Sequence, residues 1–204
     1  MKAPLILALT FIAPLASAHR LDEYLQAATI SIEAHQLEFD LRLTPGVSVF
    51  PIILKAIDTD HDNNISLAEQ KAYAATVLKD LSLYEAGQQL HPQLTSVRFS
   101  ETSDFEQGLG EIEIHFKVSL PHESPTRTLT FDNHHFNSIS TYLVNSLVPA
   151  DPDITINTQT RNFTQSHYEL NYNVPAPSTI PLTFLGSSLS ILLFRFARLA
   201  LQSA

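Results

Sequence analysis

Apolar and polar residues alternate in short stretches along most of this chain. Leu37, Phe39, Leu41 and Leu43 are each separated by one polar residue. That period of two marks a strand with one buried face. The stretch Ala27 to Ile32 precedes it across a polar break at Glu33 to Gln36, which predicts a hairpin closed off by Thr44-Pro45-Gly46. Strand patterns resume further on, at Ser82 to Tyr84, Leu90 to Ser100, Glu111 to Leu120, Arg127 to Phe131, Ile154 to Ile156 and His167 to Val174. Ser138 to Val148 is apolar without a clear period.

Between the first hairpin and the later strands the period changes. Phe50, Ile53, Leu54 and Ile57 recur at helical spacing, with Ser48 as candidate N-cap and Pro51 tolerated in the first turn. Ser66 and Glu69 form a capping-box pattern that opens a second helix, with Leu67, Ala74, Val77, Leu78 and Leu81 along one face. The expected fold is mainly β with an α insertion: a β-sandwich-like sheet domain carrying a helix-loop-helix over residues 48–81, plus a C-terminal hydrophobic helix. A split α+β sheet with both helices on one face is the competing architecture.

The loop between the helices, Asp58 to Glu69, reads DTDHDNNISLAE. Oxygen-bearing residues stand at its first, third, fifth, seventh, ninth and twelfth positions: Asp58, Asp60, Asp62, Asn64, Ser66 and Glu69. This spacing resembles the EF-hand calcium loop, in which the last residue is a Glu that grips the ion with both oxygens. The resemblance implies Ca2+ bound by those six residues, Asn64 through its backbone carbonyl and Ser66 directly or through water. The EF-hand pattern has Gly at the sixth position; this chain has Asn63, the next best residue for a left-handed turn. Ile65 at the eighth position matches the apolar residue that pairs with a neighbouring loop. The competing reading is a solvated Asp/Asn-rich turn.

Charge and composition narrow the partners. The 21 acidic residues against 12 basic ones argue against nucleic acid. The absence of Cys excludes disulfides, thiolate metal sites and a Cys nucleophile. No GxSxG elbow, HExxH helix or phosphate loop is present, so a non-enzymatic role is expected.

The two ends suggest an exported, tethered chain. Residues 1–18 have a basic start at Lys2, an apolar centre and Ala16-Ser17-Ala18, the pattern of a cleaved signal peptide. The body spans 19–174, a Pro-rich linker follows at 175–179, and residues 180–201 are apolar up to Arg195 and Arg198. That last segment predicts a transmembrane or amphipathic helix, which places the chain at the periplasmic face of an inner membrane or, without an anchor, free in the periplasm.

A mature start at His19 raises a second hypothesis, a copper carrier or copper metalloenzyme that would use this residue with His115, His134, His135 or His167. His134 and His135, being adjacent, read as turn or surface residues. The mature start Ala18 to Gln26, with the strand pair that follows, is similar to the extracytoplasmic start of the HupE/UreJ family of bacterial membrane proteins. The resemblance implies an envelope location, while the polytopic, His-bearing membrane region of that family is missing. A lone hand in one chain implies either a structural site or pairing across a homodimer.

Overall fold

The computed structural model describes residues 22–121 and 124–174. The proposed signal peptide, His19, the linker and the segment 180–201 lie outside the described residues. Among those described, no helix is long and apolar enough to cross a membrane.

The molecule is mainly β, with two sheets. β1 (Tyr24–Ile32) and β2 (Gln36–Pro45) form the expected hairpin, Tyr24 opposite Pro45 and Ile32 opposite Leu37. After them come α1 (Phe50–Ile57) and α2 (Leu67–Lys79). The chain continues through β3 (Leu81–Glu85), β4 (Gln88–Gln89), β5 (Gln93–Phe99) and a short α3 (Thr102–Glu106). It ends with β6 (Ile112–Ser119), β7 (Thr126–Asn133), β8 (Ser140–Ser146), β9 (Thr155–Arg161) and β10 (His167–Asn173). One sheet has the order β5-β6-β2-β1-β8, the other β4-β3-β7-β10-β9. The ambiguous stretch near Ser138 is therefore the edge strand β8, and it lies parallel to β1.

Both sheets turn alternate side chains into one core. Phe39 stacks on its cross-strand partner Phe116 at 4.6 Å between ring centroids, and lies 5.6 Å from Phe131 of the other sheet. Within this apolar layer Glu85 is fully buried beside Arg127, accepts a hydrogen bond from the Tyr172 hydroxyl at 2.9 Å and lies 3.9 Å from the Arg127 Nη1. Arg127 donates its remaining hydrogen bonds to the Ser124 and Ala34 carbonyls at 2.9 Å. Such donors are what makes a buried charge tolerable.

The helices deviate from the sequence pattern at their surfaces. α1 starts from Val49 without a side-chain cap. Ser48, expected as the N-cap, donates instead to Asp22 at 3.4 Å, and Gly46 carbonyl hydrogen bonds hold the helix start. Leu67, expected on the buried face of α2, is 59% exposed, because that face runs through Glu69, Tyr73, Ala74 and Val77. Leu81 belongs to β3 instead of the helix. Helix α1 packs through Phe50, stacked at 4.9 Å on Phe105 of α3. Gly110 passes so close to Phe105 that a Cβ there would lie 2.2 Å from its ring.

Phe39 joins the two sheets with no room to spare, so Phe39→Ala is expected to destabilise the fold by about 3–5 kcal/mol, whereas Val148→Ser at a 90% exposed position stays within about 0.5 kcal/mol. Equilibrium urea unfolding of the two variants checks this, and equal losses would show that the Phe39 contact does not tie the sheets.

Candidate metal centre

The acidic loop leaves α1 at Asp58 and enters α2 at Ser66. Its entry into α2 follows the capping box: the Ser66 hydroxyl accepts from the Glu69 amide at 3.3 Å, and Glu69 Oε2 accepts from the Ser66 amide at 3.0 Å and the Ser66 hydroxyl at 2.8 Å. The other carboxylate oxygen, Oε1, accepts from the Thr59 amide at 2.7 Å and the Thr59 hydroxyl at 3.2 Å. Glu69 thus ties the start of the loop to its end. The Ser66 amide and hydroxyl, then the Thr59 amide and hydroxyl, hold its carboxyl down to about 2, so it is ionised at neutral pH.

Backbone amides also gather round the other acids. Asp58, 3% exposed, accepts from the Asp62 amide at 3.2 Å and the Asn63 amide at 3.0 Å. The Asp62 amide also reaches Asp60 Oδ1 at 3.2 Å, and Asp62 Oδ1 accepts from the Asn64 amide at 2.7 Å. This winding needs left-handed backbone: His61 and Asn63 have φ of 63° and 61°. Asn63 therefore occupies the conformation its place in the loop demands, and His61 points away into solvent as an exposed side chain.

Three of the sequence-predicted ligands converge. One carboxylate oxygen from each of Asp58, Asp60 and Glu69 lies within 4.8 Å of the others. Two oxygens bound to the same calcium at about 2.4 Å can be at most about 4.8 Å apart, so this spacing fits a common ion. The donor set is all oxygen, which suits a hard cation. Asp62 is not one of the three, and the Ser66 hydroxyl is engaged in the helix cap. At Asp60 the Asp62 amide pulls the carboxyl down, but desolvation, the neighbouring Asp62 and Glu69 charges and the Asp58 side chain together outweigh it and raise the pKa. A cation would relieve that repulsion.

The histidines are placed differently from the sequence reading in one respect. His135, expected in a turn or at the surface, is 1% exposed, with Nδ1 2.7 Å from Asp80 and Nε2 2.9 Å from the Tyr73 hydroxyl. His134 beside it is exposed. His115 pairs with Asp40, and His167 Nδ1 with Asp132 at 2.7 Å. The polar cluster round His135 was not legible in the sequence, since its members come from Tyr24, Gln26, Tyr73, Asp80, Asn133, Ser140 and Tyr142. Only the buried hydrogen bonds bring them together.

Two substitutions isolate the loop from any ion. Ser66→Ala removes the cap and is expected to cost about 1 kcal/mol, and Asn63→Val forces a β-branched residue into left-handed backbone at about 1–2 kcal/mol. Urea unfolding in a chelator reads both; wild-type stability in either variant would contradict the geometry described. Comparison with known protein families, curated proteins and solved structures finds no match to this chain.

Proposed function

We propose that this chain is a non-enzymatic calcium-binding domain, a β-sandwich-like body with an inserted EF-hand. The reading is carried by one observation: ligand oxygens of Asp58, Asp60 and Glu69 lie within 4.8 Å of one another in a loop whose spacing calls for them. The contact of Phe39 with Phe131 supports the facing of the two sheets, and the left-handed Asn63 supports the EF-hand winding of the loop.

Ion binding draws Asp62, the Asn64 carbonyl and Ser66 towards the trio and completes a shell of six or more oxygens, which suits calcium better than the smaller magnesium. Its work is structural. It neutralises three acids between two helices and fastens α1 to α2 by mass action. The leader-like residues 1–18 and the apolar segment 180–201 support export and tethering at the periplasmic face of a membrane, where a second copy of the chain can supply the partner loop.

Isothermal titration of the chain with calcium is expected to show one saturable site that magnesium fills far more weakly. Glu69→Gln, which removes the charged bidentate ligand, is expected to weaken calcium binding at least about tenfold. Unchanged binding heat in that variant removes the EF-hand assignment. At calcium about 100-fold above its dissociation constant the fold should gain about 2.7 kcal/mol.

A further inference from the structure

The cluster round His135 has no part in the ion site, yet it holds the same helix. We infer that the buried hydrogen-bond chain Tyr24, Tyr73, His135, Asp80 is an acid-sensitive latch that fastens α2 to the sheets and is released when the His135 ring takes a second proton. It joins three parts of the fold: Tyr24 from β1, Tyr73 and Asp80 from α2 and its C-cap, and His135 just beyond β7. Tyr24 and Tyr73 hydroxyls are 2.9 Å apart, Tyr73 and His135 Nε2 2.9 Å, His135 Nδ1 and Asp80 2.7 Å.

Counting protons decides the direction. With a neutral ring, Nδ1–H donates to Asp80, Nε2 accepts from Tyr73, and Tyr73 accepts from Tyr24, so every donor has an acceptor. A second proton on Nε2 makes it a donor, and Tyr73 must turn its own O–H towards Tyr24. Tyr24 is fully buried, and no second acceptor meets its hydroxyl among the described residues. One donor is then orphaned in the core, which is costly.

The surroundings leave few groups to offset this. Tyr142 of β8 donates its hydroxyl to the His135 carbonyl at 3.0 Å, and Gln26, Asn133 and Ser140 bind the same segment without titrating. Among the described residues Asp80 is the one acid facing the ring, and its side chain is 42% exposed, so water screens its pull. Burial lowers the His135 pKa despite the Asp80 hydrogen bond and charge. Asp80 also stands where an acid is unfavourable, at a helix C-terminus. Its bond to His135 accounts for that placement.

A folded pKa below the ordinary 6.5 fixes the sign: below about pH 6.5 the unfolded chain binds more protons, so stability is full above that pH and falls as the pH drops towards the folded value. The latch does not rest on the calcium reading. Its test is urea unfolding of the full chain in chelator between about pH 7 and pH 5.5, beside His135→Gln. The wild-type unfolding constant should rise with acid more steeply than the variant's, by up to about tenfold per pH unit; parallel slopes overturn the latch. Should His135→Gln not fold, ring-nitrogen NMR of the wild type decides. A neutral ring protonated at Nδ1 with a midpoint below about 6.5 supports the proposal, and a midpoint at or above that value overturns it.

Discussion

A buried imidazole is tolerable only if each ring nitrogen has its partner, and here those partners come from elements far apart in the chain. His135 lies 62 residues from Tyr73 and 55 from Asp80. The pairing fixes how α2 sits on the sheets, with the Tyr73 ring also edge-on to Phe99 of β5 at 6.0 Å. Ala74, Val77 and the partly buried Leu78 add the apolar contacts of α2 with the core. The polar attachment adds direction to that apolar contact.

The same helix carries the acidic loop at its other end. Glu69 sits one turn before Tyr73, so the residue that closes the loop and the residue that enters the polar core share a face of one rigid element. The loop solves its electrostatic problem locally, by turning amides of Thr59, Asp62, Asn63 and Ser66 towards carboxylates. The polar core solves its own with side chains from both sheets. These two arrangements meet in α2, which explains why a helix of weak apolar character holds a fixed place.

Much of the fold was legible because its signals are local. Alternation at Leu37 to Leu43 and at Ile112 to Val118 reflects a single buried face. The capping box needs only Ser66 and Glu69 three residues apart, and Asn63 at a left-handed position follows from the steric freedom of its short side chain. Ser48 does not cap α1 because the Gly46 carbonyl takes the first amides, and Leu67 is exposed because the buried face of α2 runs through Glu69, Tyr73, Ala74 and Val77; neither is visible in the local pattern.

By itself, then, the sequence determined the strand periods, the inserted helix pair and the spacing of the acids, since each depends on residues within a turn or two of one another. Tertiary structure alone decided that Ser140 to Ser146 lies parallel to Tyr24–Ile32 and that His135 is buried. Those outcomes turn on which distant backbone donors and side chains come within hydrogen-bonding reach, a distance that no local spacing encodes.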